Sequence, residues 1–396
     1  MKKKVLIIDD SALMRRVLSD IINSDGRFQV TGTAADGLEG LYLLLSRAEE
    51  FDAILLDINM PRMSGIELLE QLKERGITAK IIIVSTIVRE DAQETIRALE
   101  LGAFDFVTKP ESYVKIQSSA FYSRLLECLA AVAGMGAGDK PEAVKAPVPR
   151  PKAIPPLPAR DAVPKADALE ASLRAVREAA GREAAARETV MFPAKVPPEA
   201  VRSTGKLVAL ACSTGGPKAL HTVIPNLPAN LDAAVLVVQH MPGGFTKSLA
   251  DRLNELSPLT VKEAEDGEIL TKGTVYIAKG GYQLRLKTLE DHTCRLSVIK
   301  ERARHGLQPC ADIMYESLVD SEFGQIVCVV LTGMGGDGTA GIKQLERTRN
   351  IYVIAQNEET SVVYGMPKVV RDAGLVDEVV ALNEVSGAII KNVGVC

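Results

Sequence analysis

The chain has 396 residues, too many for one ordinary core, and its 46% hydrophobic and 25% charged residues are the balance of soluble globular domains. A formal net charge of −4 supplies no clustered basic surface for phosphate contacts, which argues against nucleic-acid binding. None of the six cysteines is paired as C-x-x-C, which argues against a structural zinc site and fits a reducing compartment. The basic start is followed only by the short apolar run Val5–Ile8 before Asp9 and Asp10, too little for a secretory signal. No window is apolar enough to span a bilayer, so the chain is expected to be cytoplasmic, without membrane insertion.

Three regions differ in composition. From Met1 to about Gly134, short β-branched runs (Val5–Ile8, Phe28–Gly32, Ala53–Leu56, Lys80–Val84, Phe104–Val107) alternate with stretches of helical period such as Gly65–Arg75 and Asp91–Leu101. Such β/α alternation predicts a doubly wound α/β parallel sheet. From about Met135 to Ser203 lie 11 of the 20 prolines, so extended, solvated chain is expected rather than a packed domain. Its one proline-free interruption, within 166–188, places Leu169, Leu173 and Val176 on one helical face and predicts a short helix, either a linker helix or a docking element. From about Thr204 to Cys396, strand-like runs recur at Leu207–Ala211, Ala234–Gln239, Thr274–Ala278, Ile326–Leu331 and Ile351–Ala355. They predict a second α/β sheet, with a local antiparallel portion within Val275–Lys300.

In an open parallel sheet, functional groups gather at the carboxyl ends of the strands. Asp9 and Asp10 follow the first run, Asp57 the third, Ser85 and Thr86 close the fourth, and Lys109 follows the fifth. With strand order 2-1-3-4-5 these ends become neighbours, and three mutually repelling carboxylates call for a hard divalent cation such as Mg²⁺. A metal beside a carboxylate and an ammonium group suits a phosphoryl group. Singly, each Asp only ends its strand. Together with Asp57-x-x-Met60-Pro61 and Lys109-Pro110, the set resembles the receiver domain of two-component response regulators. The resemblance covers nearly all of Met1 to Cys128. It implies a flavodoxin-like fold with Asp57 as phosphoacceptor, and Mg²⁺ held by Asp10, Asp57 and the Asn59 backbone carbonyl with help from Asp9. Ser85 (or Thr86, in the alternative register) and Lys109 would sense the phosphate, with Phe106 at the position of the switching aromatic. A cis Lys109–Pro110 bond is also expected.

In the third region, Ser213-Thr214-Gly215-Gly216-Pro217 lies between a strand-like run and a helical stretch, which places Ser213 at an exposed strand-to-helix corner where helix N–H groups favour an oxyanion. His240 ends the next run, before Met241-Pro242-Gly243, and Asp337 lies in the glycine-rich Gly333–Gly338 after a later one. A serine hydroxyl needs a base, and the base needs a partner to fix its tautomer. Each residue has a plainer reading: a turn serine, a structural histidine, a phosphate-binding loop. Of the other histidines, His221 falls in a helical stretch, His292 in a polar turn, and His305 among basic residues as the reserve candidate.

The blocks Ser213–Pro217, Gln239–Thr246, Leu331–Gly338 and Thr360–Pro367 together resemble the catalytic domain of CheB-type protein-glutamate methylesterases. The resemblance implies a receiver at 1–130, a linker at 131–203 and a catalytic domain at 204–396. It makes Ser213 the nucleophile, His240 the base and then the acid, and Asp337 the orienting carboxylate. Thr214 would support the site and the Met334 N–H would bind the oxyanion. The implied reaction is hydrolysis of glutamyl methyl esters on methyl-accepting chemotaxis receptors, releasing methanol, with deamidation of specific glutamines by the same attack. No cofactor is implied for the esterase, and a histidine kinase would supply the phosphoryl group. Two segments depart from the family pattern, Lys279-Gly280-Gly281-Tyr282, and Gln308-Pro309-Cys310-Ala311-Asp312 where Arg-Pro-Ser-Val-Asp is usual; neither is expected to touch the triad. The linker is also longer than usual. The remaining alternatives are a mainly deamidating enzyme, a non-catalytic receptor-docking module under phosphorylation control, and a DNA-binding regulator, for which no basic recognition helix is present.

Overall fold

The structure, a computed structural model, describes residues 2–86, 89–109, 119–135, 199–202 and 204–396. The expected helix within 166–188, the rest of the proline-rich stretch and the Lys109–Pro110 bond lie outside them. The cis peptide among the described residues is Gln308–Pro309.

The N-terminal half carries strands β1 (Lys3–Ile8), β2 (Phe28–Ala34), β3 (Ala53–Leu56), β4 (Ile81–Ser85) and β5 (Asp105–Thr108), in order β2-β1-β3-β4-β5, all parallel. Helices α1 (Ala12–Ser24), α2 (Gly37–Arg47), α3 (Gly65–Glu74), α4 (Arg89–Glu100) and α5 (Ser119–Val132) link or follow them. The strands read as unbroken aliphatic runs because helices cover both faces; Val5 to Ile8 and Ile82 to Ile83 are fully buried. Helix starts follow side-chain capping: Ser11, Asp36 and Ser64 each accept an N–H from the first turn, and Ser64 with Glu67 forms a full capping box.

The C-terminal half builds a seven-stranded parallel sheet, β14-β13-β12-β6-β7-β9-β8. Its strands are β6 (Lys206–Cys212), β7 (Ala234–Gln239), β8 (Thr260–Glu263), β9 (Thr274–Ile277), β12 (Gln325–Val330), β13 (Ile351–Gln356) and β14 (Glu378–Val380). The helices are α6 (Gly216–Val223), α7 (Phe245–Leu256), α8 (Ala311–Glu316), α9 (Thr339–Glu346), α10 (Met366–Asp372) and α11 (Val385–Val393). The expected antiparallel portion is the separate hairpin β10 (Gln283–Thr288) with β11 (Cys294–Ile299). The edge strands β8 and β14 have no counterpart among the sequence-predicted runs. Each is short, pairs on one side only and carries charged residues, so neither shows the aliphatic run of a central strand.

The chain leaves β6 toward β7 on one side and later returns to place β12 on the other. The carboxyl ends of β12, β6 and β7 therefore adjoin where the winding direction changes, the place where open α/β sheets form their crevice. No helix among the described residues is long and apolar enough to cross a membrane. Leu236, fully buried at the centre of β7, tests this core: Leu236→Ala is expected to cost about 2–5 kcal/mol, read as a lowered urea midpoint of the C-terminal half.

Candidate functional site

Ser213, His240 and Asp337 follow β6, β7 and β12, so three adjacent strands deliver them to one edge. The His240 N–H donates to the Cys212 carbonyl at 3.2 Å, setting the histidine beside the Ser213 segment. The imidazole Nε2 lies 2.8 Å from Asp337 Oδ2. A proton on Nε2 donates to that carboxylate and leaves the Nδ1 lone pair, on the ring side nearer the backbone, able to accept a proton. This reverses the ring-nitrogen roles of the serine-protease triad while keeping its logic. Among the described residues no hydrogen bond joins the Ser213 hydroxyl to the ring.

The Asp337 side chain is only 6% exposed and accepts from four donors, three of them from the 308–312 segment that was expected to lie clear of the triad. Besides His240, it accepts the Ala311 N–H on Oδ2 at 2.6 Å, the Asp312 N–H on Oδ1 at 3.0 Å and the Cys310 thiol on Oδ1 at 3.1 Å. Burial alone raises its pKa, but the His240 hydrogen bond and charge, with the other donors, hold the carboxyl well below the usual range. The neighbouring Asp312 accepts the Gly338 and Gly341 N–H groups at 3.0 and 2.8 Å; burial, with the nearby Asp337 charge, pushes it up.

The Ser213–Gly216 turn is held from beneath by Gln239. Its Nε2 donates to the Ser213 carbonyl at 3.0 Å, and its Oε1 accepts the Cys212 thiol at 3.0 Å. A Cβ at Gly216 would collide with that Oε1, and Gly215 takes φ +76°, so glycine is required at both places. The Thr332 hydroxyl donates to the Thr214 carbonyl at 2.9 Å, tying the loop after β12 to the same turn. Gln239 and Thr332 were not among the sequence-predicted site residues; the adjacency of Gln239 to His240 was the available signal. Met334 follows Gly333, which is pinned to the Val363–Met366 segment by three backbone hydrogen bonds; the Met334 N–H itself has no backbone acceptor among the described residues.

The expectation that Ser213 is exposed is corrected: it is only 6% accessible, and Thr214 is fully buried. The N-terminal half lies against this edge. Arg124 of α5 donates to Thr214 Oγ1 at 3.3 Å while its other amino group holds Asp105 at 2.9 Å. Phe106 stacks on Phe245 of α7 with ring centroids 4.7 Å apart. Glu100 of α4 pairs with Arg252 at 2.6 Å and with His221 Nε2 at 3.2 Å. Burial acts against the Glu100 charge, yet His221 and Arg252 bring its pKa down to about 2. His221 thus belongs to this contact, while His292 (paired with Glu322) and His305 lie in turns with positive φ.

In the N-terminal half, carboxylate oxygens of Asp9, Asp10 and Asp57 lie within 4.8 Å of one another. Lys109 Nζ reaches Asp57 at 2.6 Å and Asp9 at 3.0 Å. Burial pushes Asp57 up to about 6 against the opposing pull of Lys109, and the two carboxylates raise Lys109 despite its own burial. Three carboxylates face one ammonium group, and the Asn59 carbonyl accepts no backbone hydrogen bond among the described residues. That oxygen-rich, under-compensated set fits a divalent cation such as Mg²⁺. Ser85 and Thr86 both face α4 instead: Thr95 donates to the Ser85 hydroxyl at 2.9 Å, and Thr86 donates to Asp91.

The raised Asp57 value has a sign that can be tested. The folded protein binds this proton more tightly than the unfolded chain, so the group's contribution to stability falls as pH rises from about 4 to about 6 and is constant above. In Mg²⁺-free urea titrations, the stability difference between Asp57→Asn and the parent is expected to grow across that window in favour of the variant and then level off.

Two families match the chain: the response regulator receiver domain over residues 5–120 and CheB methylesterase over 208–389. The protein-glutamate methylesterase/protein-glutamine glutaminase 1 of Syntrophomonas wolfei is 37% identical over 388 residues, covering 97% of each chain. The protein-glutamate methylesterase/protein-glutamine glutaminase of Bacillus subtilis is 36% identical over 387 residues, covering 98% of this chain and 97% of its own. The crystal structure of the Thermotoga maritima CheB methylesterase catalytic domain is 42% identical, with a TM-score of 0.46, covering 48% of this chain and 99% of that one. The chain belongs to the CheB family of protein-glutamate methylesterases/protein-glutamine glutaminases, with a response-regulator receiver domain ahead of the methylesterase domain.

Proposed function

We propose that this protein is a phosphorylation-controlled serine hydrolase that cleaves glutamyl methyl esters on cytoplasmic segments of methyl-accepting chemotaxis receptors, and deamidates specific glutamines there. The observation that carries the reading is the His240–Asp337 pair at 2.8 Å, its side chains 9% and 6% exposed, at the strand edge that also presents Ser213.

In this reading the Ser213 hydroxyl attacks the ester carbonyl as His240 Nδ1 takes its proton, and Asp337 stabilises the imidazolium through Nε2–H. The Met334 N–H stabilises the oxyanion, and Thr214 supports the turn. The tetrahedral adduct collapses, its C–O bond to methoxide breaks, and His240 returns the proton to release methanol. Water then attacks the acyl-serine ester with His240 again as base, giving glutamate and the free hydroxyl. With a glutamine substrate, ammonia leaves instead.

The receiver supplies the control. Asp57 accepts a phosphoryl group from a histidine kinase and Lys109 neutralises part of its charge; Asp9, Asp10, Asp57 and the Asn59 carbonyl would hold Mg²⁺, which would offset the phosphoryl charge. Ser85 (or Thr86) and Phe106 relay the change by leaving their present partners. Arg124, Phe106 and Glu100 hold the closed state against Thr214, Phe245 and the Arg252–His221 pair, and residues 131–203 connect the two domains. Phosphorylation opens the site to the extent that it weakens those contacts in one state relative to the other.

Methanol release from methylated receptor membranes tests both halves. Ser213→Ala is expected to lower the phosphorylated rate by roughly 10⁴ or more, and an unchanged rate would leave a docking module instead. Glu100→Gln is expected to raise the unphosphorylated rate by up to about tenfold, the equivalent of ~1.4 kcal/mol, and to shrink the stimulation by phosphorylation. A basal rate that stays at the parent value would refute gating through this contact.

A further inference from the structure

Cys310 stands outside the chemistry just described, yet it touches the triad. It precedes α8, is fully buried, and its N–H is held by Gln283 Oε1 at 2.9 Å. Its thiol donates to Asp337 Oδ1 at 3.1 Å. Burial, with the charge of Asp337 beside it, pushes the thiol up to about 12, so it is S–H at neutral pH. A thiolate there would set a second anion against the carboxylate.

The surroundings leave the thiol little freedom. The N–H groups of Ala311 and Asp312 donate to Asp337, while the N–H groups of Gly338 and Gly341 donate to Asp312. The two segments therefore clasp each other by reciprocal carboxylate–amide bonds. Of the four donors on Asp337, two are backbone amides and one is the imidazole. Cys310 supplies the one donor that side-chain chemistry sets independently of the base. A thiol is a weak donor compared with a hydroxyl, so it orients the carboxylate while withdrawing little of its charge.

We propose that Cys310 is a positioning residue for the hydrolysis: its S–H holds Asp337 Oδ1 so that Oδ2 faces the imidazole, and its weakness as a donor leaves charge on the carboxylate to stabilise the imidazolium. The proposal rests on the triad reading above. Sulfur forms no bond to substrate and keeps its proton. The other charged or titratable groups around the clasp are Asp312, Tyr315 and Glu316 on α8, Arg304 on the preceding loop and His240 after β7. All of these are common to the variants compared below.

The test is the pH–rate profile for methanol release from methylated receptor membranes, using the full chain phosphorylated with acetyl phosphate and Mg²⁺. Cys310→Ser puts a stronger donor on Asp337, drains its charge, and is expected to move the acid limb of kcat to lower pH by roughly half a unit. Cys310→Ala and Cys310→Val remove the donor and are expected to move the limb to higher pH, with kcat on the plateau reduced about tenfold by the loosened carboxylate and KM unchanged. Valine keeps the volume of the site filled, so a cavity effect in the alanine variant is separated from loss of the donor. Limbs that stay in place, or that all move in one direction while Tm holds, would overturn the proposal and leave Cys310 a packing residue. Failure of the triad reading is distinguishable, because Ser213→Ala would then retain the parent rate.

Discussion

A buried carboxylate costs several kcal/mol unless donors replace the water it loses, and at Asp337 those donors come from two segments that only the folded sheet brings to it. The imidazole arrives from the end of β7, and the amides and thiol from the segment entering α8. Asp337 itself stands in the loop leaving β12. Satisfying this one charge fixes the relative position of all three segments, and Asp312 returns the constraint by accepting the amides that follow Asp337. The orientation of His240, with Nε2 on Asp337, follows from that arrangement rather than from any local preference of the ring.

The receiver site obeys the same accounting with the opposite outcome. Asp57 has one backbone amide and Lys109 as partners, against burial and the charge of Asp9. Its charge is under-compensated, and its carboxyl titrates upward instead of downward. Asp337 is arranged to stay charged, whereas Asp57 sits where added positive charge is favourable. The contrast matches an orienting carboxylate on one side and a phosphoacceptor beside a cation site on the other.

Between the two sites lies a small, chemically mixed contact: an aromatic stack, a bidentate Arg252–Glu100 pair joined by His221, and Arg124 reaching Thr214. Arg124 and Phe106 both connect to β5, through Asp105 and through the chain itself, and β5 ends one residue before Lys109. A change at the Asp57–Lys109 pocket therefore has a short covalent route to the groups that cover the Ser213–Thr214 turn.

Much of this was legible along the chain. Unbroken β-branched runs alternating with amphipathic stretches determined two parallel sheets, since strands buried on both faces leave no polar positions to disguise them. Residues placed immediately after those runs, Asp9, Asp10, Asp57, Ser213, His240 and Asp337, determined where chemistry would gather. The edge strands β8 and β14 were not legible, because one-sided pairing tolerates charged residues. Gln239, Thr332 and Cys310 were not assigned roles either, because a hydrogen bond across 27 residues, such as Cys310 to Asp337, leaves no periodic trace. Only the tertiary structure decided that Nε2 faces Asp337, that Ser213 is covered, and that Arg124 and Glu100 lie over that edge. Each of these depends on which strand ends adjoin and which helices cover them, and sheet order is set by contacts between residues far apart in the chain.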